Sequence, residues 1–171
     1  RLQRISPMAI SAWSACWFLP FVLPLCLYVA FTDMREMRIT NQAVIVLTAV
    51  FVVVGLVALP FDQYLWRLAQ LVIVLVVTIA LNAAGVMGAG DSKFIAAAAP
   101  FIAMGDVQFV IALYAATLLA AYATHRMVKH SRLQQLVPHW TSWNQGKKFP
   151  MGFALGGTLA FYLIFGAVFG S

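Results

Sequence analysis

The chain has 171 residues, of which 63 % are hydrophobic and 9 % charged, with a mean hydropathy of +0.91. That composition excludes an ordinary soluble domain and leaves room for one bundle of membrane helices, residues 1–171 forming a single membrane domain. The net charge of +6 sits on Lys and Arg in flanks and loops, where cations set membrane orientation and meet anionic lipid headgroups; it is no nucleic-acid signature.

Arg1 and Arg4 precede the first apolar run, Met8–Phe31. This run is longer than a signal-peptide core of roughly 7–15 residues. It contains Pro20 and Pro24 and enters a charged loop without a small-residue cleavage pattern, so a retained span is expected. The chain begins at Arg1 rather than Met, and the native N-terminus is expected upstream. Cys16 and Cys26 fall on the same predicted helix, roughly 15 Å apart, too far for a mutual disulfide, and read as packing residues.

Four further runs follow: Ala43–Pro60, Leu68–Met87, Val107–Thr124 and Met151–Phe169. Like the first, each approaches the roughly 17–25 residues of a spanning helix. Between the third and the Val107 run lies Ser92–Met104, which carries Pro100 and covers only about 20 Å as a helix. It is either a short span or a re-entrant helix. The predicted fold class is an all-α integral membrane protein, a bundle of about six transmembrane helices with the fourth short.

Asp33 closes the first run and Asp91 opens the short fourth one, with two long spans between them. Two crossings return the chain to its starting side, so both acids face one compartment. If the short segment crosses, Arg35, Arg38, Lys93, Arg126, Lys129, Arg132, Lys147 and Lys148 share that side, against Arg1, Arg4 and Arg67 on the other. The positive-inside rule then places both aspartates at the cytoplasmic face and both termini outside. Without that crossing, the cationic loop changes sides and the orientation inverts; crossing is the favoured reading. The loop at about 125–150 carries Leu133, Leu136, Val137, Trp140 and Trp143 in one helical stripe. It reads as an interfacial connector resting on the membrane, with substrate docking the alternative.

The chain has five acids, and an ionisable group at a membrane boundary is a functional candidate by default. Alone, Asp33 would read as a solvated loop residue or a helix N-cap. Asp91 on the same face changes that. A like-charged pair in a poorly hydrated site holds one proton between two carboxylates, giving one base and one acid for attack by water. Gly88 and Gly90 just before Asp91 permit a close backbone approach. Asp62 and Asp106 each precede a span and are expected to cap helices. Glu36 is expected to pair with Arg35 or Arg38. Lys93 either depresses the Asp91 pKa or contacts a substrate carbonyl, or is an ordinary cytoplasmic orientation charge. Asn82 is expected to bond across helices. His125, His130 and His139 have no ligand spacing, so neither a metal nor another cofactor is expected, and no Ser/His nucleophile constellation exists.

Gly88-Ala89-Gly90-Asp91, with Ser92-Lys93 behind it, resembles the GxGD motif of the type IV prepilin peptidases, aspartic membrane proteases that include the archaeal preflagellin peptidases. Asp33 to Asn41, ending Ile39-Thr40-Asn41, resembles their first catalytic region, with Thr40 where Pro is common. Phe149-Pro150-Met151-Gly152 with Ala154 resembles their Pro-x-Gly-x-Ala entry to the last span. The resemblance implies Asp33 and Asp91 as the catalytic pair, with Gly88, Gly90, Lys93 and Asn41 in support. It implies an endopeptidase of the prokaryotic inner membrane that cuts the short basic leader from a prepilin or pseudopilin before its hydrophobic stem. The cysteine-rich region of the methylating members is missing, so methyltransferase activity is not implied, and the compactness is most like the Flp tight-adherence peptidases. A small proton- or cation-coupled transporter is the alternative, though its acids would more naturally lie near the midplane. A non-catalytic assembly subunit would need neither carboxylate.

Overall fold

A computed structural model describes residues 8–129, 139–143 and 149–171. Among these it has six α-helices: α1 (Ala12–Glu36), α2 (Asn41–Ala58), α3 (Phe61–Ala83), α4 (Ala89–Ala98), α5 (Val107–Lys129) and α6 (Met151–Phe169). All but α4 are long and apolar enough to cross a membrane. The all-α class and the short fourth helix are therefore as expected.

Local chemistry moves several boundaries away from the apolar runs. Ser11 caps α1, accepting from the Ser14 amide at 3.1 Å, so the helix starts after Met8. At the other end α1 continues past Phe31 until Met37 turns left-handed (φ 54°) and donates its amide to Asp33 O at 2.9 Å. Asp33 thus lies in the last turn of a helix and not in the loop expected. Pro60, with a pre-set φ, starts α3 well before Leu68. Asp62 lies in the first turn of α3 but does not cap it, since Pro60 occupies the cap position. Gly85, at φ 74°, turns the chain after α3, and Asn82 bonds locally to Met87 O at 2.8 Å instead of across helices. α5 reaches Lys129, so the connector is shorter than expected. Leu133, Leu136 and Val137 lie outside the described residues, and Trp140 packs edge-on against Phe31 of α1.

α1 and α6 run antiparallel and form the most extensive helix pair. Small residues bring their backbones together. A Cβ at Gly156 would fall 2.8 Å from Cys26 O, and one at Gly166 would fall 2.8 Å from Ile10 Cγ2. Phe18 of α1, Phe51 of α2, Tyr64 of α3 and Phe101 beyond α4 interlock around Phe51, with ring centroids 4.9–5.9 Å apart. Such aromatic contacts add to the burial of large side chains.

A helix as short as α4 must end inside an apolar bundle, where free carbonyls have no water to bind. Two buried side chains of α3 meet them. Arg67 donates to Pro100 O at 3.2 Å, and Gln70 donates to Ala99 O at 3.1 Å and Ile102 O at 3.2 Å. The chain then reaches Asp106, which does not cap α5. Its carboxylate accepts from the amides of Ala9 (2.7 Å) and Ile10 (2.9 Å) and from the Tyr162 hydroxyl (2.8 Å). Those two amides precede α1 and have no helical partner, which is why the carboxylate turns toward them. Asp91 shares a cavity with Asp33 at one end of α1, while Asp106 holds the segment at the other. Residues 91–106 therefore carry the chain across the whole bundle.

Removing the Asp106 carboxylate would leave buried donors without acceptors. Asp106→Ala is expected to destabilise the fold by about 1–3 kcal/mol, read as thermal unfolding in detergent, with Asp106→Asn losing less.

Candidate active site

Three helix starts converge at the end of the bundle where α1 finishes: those of α2, α4 and α6. Between them lies a cavity of about 730 Å³, with Asp33, Arg38, Asn41, Asp91, Lys93 and Met151 in its wall. Helix N-termini present unpaired amides and positive dipole ends, which suit negative charge.

Asp33 is only 5 % exposed. Its Oδ2 accepts from the amide of Gly152, in the first turn of α6, at 2.6 Å, and the Phe153 amide also faces the carboxylate. α6 has no side-chain cap of its own, because Pro150 precedes it. The carboxylate of α1 serves in its place. A Cβ on residue 152 would fall 2.9 Å from both Asp33 Cγ and Oδ2, so glycine is required for this approach.

Asp91 is half-buried in the first turn of α4 and lines the same cavity as Asp33. The two motif glycines do different things. A Cβ on Gly88 would lie 3.0 Å from Asp91 Oδ2, whereas one on Gly90 would lie 3.4 Å from Ile39 Cβ. Gly88 makes room for the carboxylate, and Gly90 lets α4 settle on the α1–α2 connection. Lys93 donates to Asn41 Oδ1 at 3.1 Å, joining the starts of α4 and α2 at the rim. Arg38 lines the same rim. Glu36 faces Arg35 at 3.8 Å in solvent, a pairing worth little.

Every sequence-predicted site residue thus reaches this cavity: Asp33, Asp91, Gly88, Gly90, Lys93 and Asn41. Asp62 and Asp106 do not line it. Sequence reasoning gave no site role to Gly152, Ile39 or Met37. The Pro-x-Gly-x-Ala pattern held the signal for Gly152, but not the reason for it. His125 is buried against the Phe149 ring, and among the described residues no group of three His, Cys, Asp or Glu side chains could hold a metal.

Residues 8–124 match the model of the type IV leader peptidase family, over more than half of the chain. The chain belongs to that family. No curated protein and no solved structure matches it. The matched stretch holds both aspartates and ends within α5, so Gly152 enters the site from beyond it. In this leader peptidase the cavity brings two carboxylates together beside the start of α6, whose Gly152 amide is already bonded to Asp33.

The Gly152–Asp33 contact is testable. Gly152→Val is expected to lower peptidase activity by about 100-fold or more, because it displaces one carboxylate by a fraction of an ångström to an ångström. Membrane insertion and helix content should be unchanged. Gly90→Ala should retain activity, since its Cβ meets only an ordinary contact, while Gly90→Val should abolish it through its β-branch. Leader cleavage at matched enzyme levels in membranes reads both.

Proposed function

We propose that this leader peptidase is an aspartic endopeptidase that removes a short basic leader from prepilin- or pseudopilin-like substrates, with Asp33 and Asp91 as its catalytic pair. The observation that carries this reading is the meeting of two carboxylates in one cavity, Asp91 in the first turn of α4 and Asp33 at the end of α1, bonded to the first turn of α6. Sharing one proton, the pair acts as a unit. The ionised carboxylate takes a proton from a water as its oxygen attacks the scissile carbonyl carbon. The protonated partner gives its proton to the carbonyl oxygen. Collapse of the tetrahedral intermediate then breaks the C–N bond and passes a proton to the departing amine, leaving a new carboxyl group on the leader. Lys93 and Asn41, bonded to each other at the rim, hold the starts of α4 and α2 in register around the reacting groups.

The charge distribution supports a cytoplasmic site at the inner membrane. Arg35, Arg38 and Lys93 lie at the carboxylate end, and α5 returns Arg126 and Lys129 to it; Arg67 belongs to the opposite half. Acids at helix ends, together with the family match, give the transporter reading no support. A subunit of a Flp-type pilus is the first substrate to test.

Asp33→Asn and Asp91→Asn should each remove cleavage of a co-expressed prepilin, read as a gel shift. The loss should reach roughly two to four orders of magnitude, and the double variant should be scarcely worse than either single one. Asp62→Asn and Asp106→Asn should keep most activity. Full cleavage by either dyad variant would sink the mechanism. For the wild type, a shared proton requires a bell-shaped dependence of kcat/KM on pH, falling when both acids are protonated and again when both are ionised. Each single Asn variant should lose that shape in its residual activity.

A further inference from the structure

Two apolar hollows follow one another along the same side of α5 and make up a trough, the upper one beside the carboxylate cavity. α4 and α5 both pack on α6 but make no extensive contact with each other, and the space between them is floored by Leu155, Leu159 and Tyr162 of α6. One face of α5 forms its wall: Ile111, Tyr114, Ala115, Leu118 and Tyr122 follow the spacing of a single helical face. The lower part has a volume of about 200 Å³ and the upper part about 630 Å³. Phe149 and Met151 line both the upper part and the carboxylate cavity, so the two adjoin across these side chains. On α4, Asp91, Ile95 and Ala98 lie on one face, so a proposed catalytic carboxylate stands at the head of the trough.

We propose that this trough seats the apolar stem of the substrate, on the carboxyl side of the bond cut between Asp33 and Asp91. The inference rests on the leader-peptidase reading. A segment lying here is joined through the cavity to the peptide bond at the carboxylates, a continuity that a lipid chain lacks. From Met151 to Tyr162 the trough runs roughly 16 Å, enough for several turns of an apolar helix. α5 buries only Ala121 and His125 along its length, so it borders the trough without closing it and leaves a side entrance within the membrane.

Ala115→Trp fills the trough, and Ala116→Trp, on another face of α5, is the control; both positions are exposed. Two substrates are compared in reconstituted membranes: a full-length prepilin, and a soluble peptide that ends shortly after the cleavage site. Ala115→Trp should raise KM for the prepilin by about tenfold or more with kcat held, and leave the stemless peptide unaffected. Ala116→Trp should match wild type on both. A wild-type KM for the prepilin in Ala115→Trp overturns the trough and leaves the leader-peptidase reading standing. Equal loss on both substrates places the effect in the carboxylate cavity and also overturns it. Wild-type enzyme inactive on both substrates ends the leader-peptidase reading, and the trough falls with it. If Ala115→Trp does not fold, benzoylphenylalanine in place of the exposed Ile111 decides: photocrosslinks to the prepilin stem support the seat, and crosslinks to lipid alone overturn it.

Discussion

The hydrogen bond from the Gly152 amide to Asp33 holds the end of α1 against the start of α6, and the geometry of the site follows from it. It satisfies a helix start that Pro150 cannot cap and fixes one carboxylate by a backbone donor. It also brings the two helices together so closely that no side chain fits at residue 152. Further along the same pair, Gly156 and Gly166 repeat the close approach against Cys26 and Ile10. The contact that orients a candidate catalytic group is thus one end of the seam that closes the bundle.

At the other end of the bundle, buried polar groups are matched almost group for group. Arg67 and Gln70 meet the carbonyls at the end of α4, and Asp106 gathers two amides and the Tyr162 hydroxyl. In a medium without water each unmet group is costly, so these side chains are what allow a helix of ten residues to stand among longer ones. The short helix in turn lets a loop with two glycines, and the acid behind them, meet the end of α1.

Much of this was legible in the sequence. The length and apolarity of the runs gave five of the helices, and parity of crossings put Asp33 and Asp91 on one face. The spacing of Gly88, Gly90 and Asp91 marked the start of α4. Other features were not legible because they depend on contacts between distant segments. Asp106 looked like a helix cap because its neighbours along the chain are a glycine and an apolar run, yet its partners are residues 9, 10 and 162. Asp33 looked like a loop residue because the charges around it mask a helix that continues to Glu36. Gly152 was visible as part of a pattern, but only the packing of α6 on α1 explains why a larger residue would not fit.

Asp33 and its amide partner are 119 positions apart in the chain. During synthesis and insertion, α1 to α4 bring both aspartates into the membrane while the helix that orients the first of them is still to come. A nascent chain at that stage has both acids but lacks the fixed donor, and its Asp33 faces whatever solvent or lipid occupies the place of α6. The fixed donor therefore reaches Asp33 only once α6 has packed on α1.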